Sequence, residues 1–359
     1  MTILMRASRQ WASRPADERF VSLPEMQTAM RELRERSHQR VVSTRSLSLL
    51  PDPEDERHRG LLIETGGGAV VAPTHWPFGQ LCSLAATPSP ASYFREARLP
   101  AEIVADALNY HLRFTRGSGE VKLLGTADEL RAINGPFYGR VWNADIVAML
   151  IEAFGDGVSG AWRVPGEFGR RVPVDRQNTT LYASDRNMFV FLADEDRRIE
   201  AAGRSLARGF FVWNSEVGDD TIGAGFFLFD YVRCNRIVWG PDQYSEVRLR
   251  HTKGAPDRWL DETVPVLTEY AAGSPQPVVE AIEAARAKKL ADDLDGFLGA
   301  RFGKRLVPAI KAIHEHEEGR PIETVWDAAV AATAHARAIP NADRRVEIER
   351  IAGSLLTAA

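Results

Sequence analysis

The sequence predicts an α+β protein, with a central antiparallel sheet that carries packed helices and a helical region at the C-terminus. Apolar runs separated by turn residues fill the middle of the chain, and helical spacing of apolar residues prevails after Pro256. The composition, 44% hydrophobic and 26% charged, is that of an ordinary globular protein. The 359 residues divide into an N-terminal arm and helix (1–60), an α+β core with the antiparallel sheet (61–255) and a helical domain (256–359).

An arm and one helix open the chain. The first twenty residues are polar and rich in arginine around Trp11, which is typical of an arm that docks on a domain or stays mobile. Ser22, followed by Glu25, has the pattern of a helix N-cap, and Met26 and Met30 continue at helical spacing. A strand is predicted in the run VVSTRSLSLL, which ends at the acidic turn PDPEDE.

Two strand pairs and two helices are predicted in the next part of the chain. The run GLLIETGGGAVVAP is typical of a β-hairpin, because Gly66–Gly68 reach positive φ at little cost. These glycines lack the GxGxxG and GK(S/T) patterns, so we expect no nucleotide site at them. Apolar spacing predicts helices in THWPFGQLCSLAA and PAEIVADALNYHLRF, and EVKLLGTADELRAIN predicts the second strand pair.

A helix and a run of antiparallel strands follow. Asn143 is a suitable N-cap for the helix, and Gly155 or Gly157 ends it. A turn at Ser184–Asn187 joins two strands, and a long apolar hairpin has predicted strands 208–216 and 221–232. We interpret the break between the hairpin strands, with its glycine and acids, as mainly turn chemistry. The segment SEVRLRHT adds a last strand, and helical segments separated by Gly or Pro complete the chain.

Motifs for catalysis and metal binding are absent from the sequence. The two cysteines, Cys82 and Cys234, lack CxxC spacing, which excludes a zinc ribbon and a disulfide scaffold and fits a reducing cytosol. His314 and His316 point to different sides of a helix, so a solvated polar face is the better interpretation. No run approaches the length of a membrane helix, and the N-terminus has no signal-peptide pattern. We expect a cytoplasmic protein with no catalytic residues, metal, cofactor or membrane partner.

Charge and aromatic residues together favour nucleic-acid binding. The net charge of −4 excludes a polybasic binder but allows a local basic groove. Arginines interleaved with aromatic rings neutralise phosphates and stack on bases in single-strand binders. The predicted interface is Tyr138, Arg140, Trp142, Arg163, Arg170, Arg171 and Arg176, with Arg233 and Arg236 at the far end of the hairpin. The alternative is that the tryptophans are core residues and the arginines are solvated or paired with acids.

Six segments, spread in order over nearly the whole chain, resemble the phage- and plasmid-borne proteins grouped as domain of unknown function 932. They are SRQWASRPADERFVSL, FYGRVWNADIVAML, NTTLYASDRNMFVFLADEDRRIE, ARGFFVWNSEVG, FLFDYVRCNRIVWG and TVWDAAVAATAHA. The resemblance implies a protein of a mobile element and brings no catalytic residues with it. A strand pair, a helix ending in AFGDGVSGAW and three antiparallel strands are similar in order to the Rad52-like single-strand annealing proteins. The long helical tail and the shortage of lysine depart from that family.

The sequence therefore favours a non-enzymatic protein that binds single-stranded DNA or RNA and assists annealing or recombination on a phage or other mobile element. An alternative is a protein-interaction or host-defence-modulating factor that docks its partner through the helical C-terminal third. A metal-dependent nuclease is a third hypothesis, which would require the acids of PDPEDE, ADED and GDD to cluster. The oligomeric state, including a homo-oligomer, is left open.

Overall fold

The computed structural model describes residues 18–85, 91, 93–94, 97–114, 119–165, 173–201, 203–230, 235–237, 247–290, 293–337, 339 and 342–357. About 44% of the chain is helical and 26% lies in strands, with antiparallel sheets, packed helices and a helical C-terminal region. The predicted α+β class is confirmed. Trp11 and Cys234, singled out in the sequence, lie outside the described residues.

Two sheets contain the strands of the described ranges. The strands are β1 (Arg19–Phe20), β2 (His38–Ser43), β3 (Leu47–Pro51), β4 (Leu61–Thr65), β5 (Val70–Pro73), β6 (Glu120–Gly125), β7 (Glu129–Asn134) and β8 (Trp162–Arg163). They continue with β9 (Leu181–Ala183), β10 (Met188–Asp194), β11 (Ile199–Ala201), β12 (Arg204–Asn214), β13 (Ile222–Asp230), β14 (Asn235–Ile237) and β15 (Val247–Leu249).

The helices precede, separate and follow the sheets. They are α1 (Leu23–Arg36), α2 (His75–Leu84), α3 (Ala101–Phe114), α4 (Asn143–Phe154), α5 (Ala255–Arg258), α6 (Val264–Ala272), α7 (Gln276–Ala287), α8 (Leu294–Phe302), α9 (Val307–Glu318), α10 (Val325–Arg337) and α11 (Ala342–Thr357). A π turn, Trp259–Thr263, joins α5 to α6. None of the helices in the described ranges is long and apolar enough to cross a membrane.

The larger sheet has the strand order β1-β9-β10-β12-β13-β14, with β8, β11 and β15 beside β10, β12 and β13. All its pairs are antiparallel. The Ser184 N–H donates to the Asn187 carbonyl at 2.9 Å, which confirms the predicted turn between β9 and β10. Apolar residues of β9, β10, β12 and β13 pack on α1, α4 and α6 to form the main core, which includes Met26, Leu150, Val190, Phe210 and Tyr270.

Cross-strand pairs of glycine and an aromatic residue stabilise the long hairpin β12–β13, whose existence the sequence predicted. Gly209 pairs with Phe227 and Gly225 with Phe211, and each ring lies over the glycine opposite. A Cβ at Gly209 would approach the Phe227 ring to 2.3 Å, so only glycine leaves room for the ring. β12 begins four residues and ends two residues earlier than predicted, whereas β13 begins one residue later and ends two residues earlier.

Residues 38–134 form a small barrel-like sheet. β2 and β3 are two halves of one strand, bent at the 3₁₀ turn Thr44–Ser46. Because β2 pairs with β6 and β3 pairs with β4, the bent strand lies at both ends of the order β2-β6-β7-β5-β4-β3. β5 and β7 run parallel, whereas the other pairs of this sheet are antiparallel. With a helical connection between β5 and β6, this is the strand order of the five-stranded Greek-key barrel known as the OB-fold.

Helices α2 and α3 pack against the apolar interior of this barrel. Its core contains Leu49 and Ile63 from the strands, Leu81 from α2 and Leu108 from α3. The boundary predicted at residue 60 lies between β3 and β4, which pair with each other along their whole length. The Gly66–Gly68 turn has positive φ at all three glycines, as the hairpin prediction requires.

A second helical core follows the larger sheet. Helices α7 to α11 enclose Ile282, Phe302, Ile310 and Trp326 and pack on Leu228 of the sheet. His314 lies within this region with 1% of its surface exposed, so the prediction that its polar segment of α9 is a solvated face is wrong for this residue. Burial lowers the pKa of His314 and keeps the ring neutral.

Helix boundaries follow the local signals in two of the predicted cases. Ser22 caps α1 by accepting the Glu25 N–H, as predicted. Helix α4 ends at Gly155, also as predicted, but its N-cap is Trp142 and Asn143 is its first helical residue. The Asn143 side chain is instead buried and accepts a hydrogen bond from Asn214 at 2.7 Å. Tertiary contacts therefore displace the predicted cap by one residue.

Candidate nucleic-acid interface

The loop between β7 and α4 brings three of the predicted interface residues together. The Arg140 guanidinium lies 5.2 Å from the centre of the Tyr138 ring and 5.7 Å from that of Trp142. On the Trp142 ring, Arg34 of α1 lies 5.4 Å from the centroid and pairs with Asp145. Arginine and aromatic side chains thus alternate in space here, as predicted, in cation–π contact.

Arg140 is nevertheless committed to the interior. Only 6% of its surface is exposed, and it donates to Gln39 of β2 and to Asn134 of β7, both at 3.1 Å. Its Nη1 has no hydrogen-bond partner in the described structure, and no described carboxylate forms an ion pair with it. Burial lowers the pKa of Arg140 to about 10, which still leaves it charged at neutral pH. Arg140 can organise a surface but offers little of its own surface to a ligand.

Tyr138 joins the barrel to the larger sheet. Its hydroxyl donates to the Ser215 carbonyl at 2.9 Å, and its ring stacks on His251 with a centroid distance of 4.9 Å. Burial raises the pKa of the Tyr138 hydroxyl and lowers the pKa of His251 to about 4. Both groups are therefore neutral at physiological pH, and they support the loop rather than supply charge.

Arg163 lies at a different place. It is within 3.9 Å of Glu195 and 4.0 Å of Asp196, and its strand β8 pairs with Asp194 at one end of β10. The Tyr138 loop adjoins the other end of β10, because Met188 there pairs with Asn214, which contacts the loop. The length of β10 separates the two places by about 20 Å.

Arg176 also lies apart from the loop. It forms an ion pair with Glu25 near the start of α1 and donates to the Arg19 carbonyl. Arg34, which contacts Trp142, is at the end of α1, about 13 Å further along that helix. Arg163 and Arg176 thus follow the alternative in which internal acids neutralise the arginines.

The remaining predicted interface residues are not described in full. Arg170, Arg171 and Arg233 lie outside the described residues, and Arg236 is placed only by its backbone, in β14 opposite Phe229. Their part in an interface stays a prediction.

The bend of the long hairpin, residues 215–221, docks on the outer face of the barrel. The Val217 carbonyl accepts hydrogen bonds from Trp76 at 3.1 Å, Gln80 at 3.1 Å and Asn134 at 2.9 Å. Gly218 has a φ of 85°, so the turn chemistry predicted for this break is present. The bend also fixes the larger sheet to the barrel, which the sequence did not indicate.

Glu216 is the charged centre of this junction. It is 3% exposed, its Oε2 is 3.1 Å from Nη2 of Arg131 in β7, and its Oε1 accepts the backbone N–H of Asn143 at 2.8 Å. Arg131 donates in turn to the Ser37 hydroxyl at 2.9 Å, at the start of β2. A buried ion pair with these hydrogen bonds holds α4, the barrel and the hairpin in one arrangement.

A second group of cations, which the sequence reasoning missed, lies along β2. Arg36, Arg40 and Arg45 are exposed, and none of them forms an ion pair with a carboxylate of the described chain. Arg40 donates to the Gly66 carbonyl at 3.0 Å and Arg36 to the Glu32 carbonyl at 3.4 Å. Arg36 ends α1, Arg40 lies in β2 and Arg45 lies in the turn after it, so their positive charge is open to solvent before, within and after a strand of about 17 Å.

Aromatic and apolar side chains lie beside these cations. Phe137 is 75% exposed, more than any other large apolar residue of the described chain, and Val41 of β2 is 49% exposed. Lys122 pairs with Val41 across the strands and donates to the Tyr138 carbonyl at 2.8 Å, which brings the Phe137 loop next to β2. Arg40 pairs with Leu123 and points to the other side of β2 from Val41 and Lys122, because successive side chains of a strand alternate. We refer to Arg36, Arg40, Val41, Arg45, Lys122 and Phe137, which surround β2 on both sides, as the β2 surface.

The sequence contains a signal for the β2 surface. Residues 31–45 hold five arginines against Glu32 and Glu35, an excess of three positive charges in a chain of net charge −4. This run crosses from an amphipathic helix into a strand, so its charge is divided between two predicted elements and is easily overlooked.

Metal ligands do not gather in the described structure. No group of three or more His, Cys, Asp or Glu side chains within the described ranges has the arrangement to hold a metal ion. The carboxylates of the turn after β3 accept local backbone N–H groups, as Asp55 does from Arg59 and Gly60. This use of Asp is typical of turns.

Comparison with protein-family models, with curated proteins and with solved structures gives no match for this chain. The resemblances described from the sequence segments stay predictions.

Proposed function

We propose that this protein binds single-stranded nucleic acid across the β2 surface. The observation that carries the proposal is the group of exposed arginines at the end of α1, in β2 and in the 3₁₀ turn that follows, near the exposed Phe137 ring. They are Arg36, Arg40 and Arg45. Barrels of this type bind oligonucleotides in other proteins through the face of their second and third strands, which are β4 and β5 here. The shared strand order is therefore only an analogy and does not by itself point to β2. The chemistry of these side chains is the stronger support.

Each part of the β2 surface matches one part of a single strand. Guanidinium groups bind phosphate oxygens and release the counterions condensed on the strand. An exposed ring offers a stacking platform to a base, and a base is free to stack there only when it is unpaired. Arg140 beneath Tyr138 and Trp142 fixes the loop that presents Phe137, so the predicted cluster takes a supporting role.

Fluorescence anisotropy with a labelled oligonucleotide across a salt series tests the proposal. The variant R36A/R40A/R45A should bind more weakly, and the slope of log K against log salt should become shallower by about 2, since each phosphate contact to a single strand contributes about 0.7. The variant F137A should bind more weakly with an unchanged salt slope. Duplex of the same sequence should bind less tightly than the single strand.

A matched control variant removes the same number of positive charges from other parts of the surface. R31A/R258A/K311A removes three exposed cations that are already paired with Glu35, Glu262 and Asp295. The control should bind like the wild type. Equal losses in the two triple variants would show a general charge effect and overturn the β2 surface as the interface, and so would an absence of binding at low salt.

The alternative function, docking of a protein partner through residues 256–359, stays a prediction. A partner captured by the full chain after nuclease treatment, and retained by R36A/R40A/R45A, would favour it.

A further inference from the structure

A cavity of about 240 Å³ opens at the end of the barrel beside the β2 surface. Its walls are the apolar side chains Val71, Leu123 and Leu130, which belong to three different strands and continue into the barrel core. The turns Gly66–Ala69 and Thr126–Asp128 flank the opening. Mouths of β-barrels are frequent sites for small molecules, because the strands supply a preformed apolar wall.

Charged and polar groups of this cavity come from strand ends. His38 and Arg40 line it from β2, and Glu129 lines it from the start of β7. The Thr126 hydroxyl accepts the backbone N–H groups of Asp128 and Glu129, at 3.4 and 3.2 Å, which leaves its own proton for a ligand. The site therefore combines an apolar slot with a guanidinium, an imidazole, a carboxylate acceptor and a hydroxyl donor.

We propose that this cavity binds one nucleotide, with the base in the apolar slot and the phosphate at His38 and Arg40. This assignment rests on the proposed function, since Arg40 belongs both to the β2 surface and to the cavity, and it adds a pocket for an individual base. The nucleotide can be free or part of a bound strand.

Size and chemistry both support a base as the occupant. The cavity has the volume of about eight water molecules in the liquid, and a nucleobase has a similar number of non-hydrogen atoms. Flat faces of a base suit the apolar walls, and its polar edge requires both donors and acceptors, such as Thr126 and Glu129. The turn Gly66–Gly68 lacks the sequence pattern of a phosphate loop, so we assign the phosphate to Arg40 and His38 of β2.

Two substitutions at nearby positions distinguish an effect of filling the cavity from a general effect of added volume on the barrel. Ala69 is exposed and lines the cavity, so A69F should fill it without disturbing the core. Ala72 is exposed on β5 and points to the opposite side from Val71, so A72F adds the same volume elsewhere. Melting curves of both variants check that the fold is retained.

Titration calorimetry with each of the four deoxynucleoside 5′-monophosphates, and with inorganic phosphate alone, provides the test. We expect at least one nucleotide to bind wild type and A72F alike, with affinity lower by about tenfold or more in A69F and in R40A. Inorganic phosphate should bind more weakly than that nucleotide. If no nucleotide binds, or if A69F binds like A72F, the cavity is not a nucleotide site.

Measuring the affinity of the same variants for a single-stranded oligonucleotide distinguishes this inference from the proposed function and identifies the source of the nucleotide. Strand binding that falls in A69F but not in A72F assigns the cavity to a nucleotide of the strand, whereas an unchanged strand affinity together with lost mononucleotide binding assigns it to a free nucleotide. The β2 surface is supported and the cavity is overturned if R36A/R40A/R45A loses strand binding, A69F retains it, and no mononucleotide binds. If a mononucleotide binds and no strand does, the cavity is supported and the β2 surface is overturned as the strand interface.

Discussion

Removal of the Glu216 carboxylate should be among the most destabilising single changes at the junction between barrel and sheet. In E216A, Arg131 keeps its charge in a place where 4% of its side chain is exposed, and its nearest carboxylate is gone. The backbone N–H of Asn143, at the start of α4, also loses its acceptor. The Ser37 hydroxyl remains as a hydrogen-bond acceptor for Arg131 but cannot balance the charge.

The magnitude follows from the burial of the pair. Breaking a buried ion pair by deleting one partner costs about 3–5 kcal/mol in the free energy of unfolding, because the other charge stays buried. E216Q keeps an oxygen for the Asn143 N–H and loses only the charge, so we expect about half that cost. The double variant R131M/E216L removes both charges and should be less destabilised than E216A.

Urea unfolding followed by circular dichroism, with near-ultraviolet and fluorescence signals to detect a separate transition of the barrel, measures these differences. The expected order of stability is wild type, then E216Q, then E216A, with R131M/E216L above E216A. If E216A lowers the free energy of unfolding by less than about 1 kcal/mol, Arg131 does not depend on the Glu216 carboxylate, and the ion pair is not a structural requirement of the junction.

Three further predictions concern buried groups elsewhere. In an NMR titration the His251 ring should have its midpoint near pH 4, because burial against Tyr138 lowers its pKa. The free energy of unfolding should therefore fall as the pH drops from about 6.5 towards 4, since His251 of the unfolded chain binds a proton in this range and His251 of the folded chain does not. A midpoint near 6.5 would contradict the buried placement of the ring. G209A should lose about 1–3 kcal/mol in urea unfolding, because its Cβ would meet the Phe227 ring, whereas wild-type stability would mean that the ring lies elsewhere. H314L should match or exceed the wild type in thermal unfolding, because both ring nitrogens of His314 are buried without a hydrogen-bond partner in the described structure; a loss above about 2 kcal/mol would reveal a partner.

Local signals were sufficient for much of the secondary structure. The cap at Ser22, the glycine end of α4 at Gly155 and the hairpin β12–β13 all depend on residues close in sequence, and all three are present. The cap at Asn143 failed because its side chain is held by Asn214, which is distant in sequence. Sequence patterns describe a helix end in isolation and carry no information on such a partner.

Barrel closure could not be deduced from strand patterns. It depends on the bend at Thr44–Ser46, which lets one strand pair with β6 at one end and with β4 at the other. The parallel contact of β5 with β7 is likewise a long-range pairing. Each segment reads as an ordinary strand, and their order around a barrel is a property of the folded chain.

The interface prediction was limited for the same reason. Arginines and rings near residue 140 do meet in space, but Glu25 and Glu195, far away in the sequence, neutralise Arg176 and Arg163. Arg36, Arg40 and Arg45 are exposed and have no ion pair with a carboxylate of the described ranges, although Glu32 and Glu35 are close to them in sequence. Whether a charge is free depends on its neighbours in the fold, which composition alone does not give.

Photo-crosslinking of the full chain to a 5-bromouracil-substituted single strand, with mass spectrometry of the labelled peptides, tests the central claim most directly. The account predicts crosslinks in the peptide that contains Phe137 and in peptides from residues 36–45, reduced by an excess of unlabelled strand. Crosslinks confined to residues 276–357, or to the ion-paired arginines at 163 and 176, would contradict it.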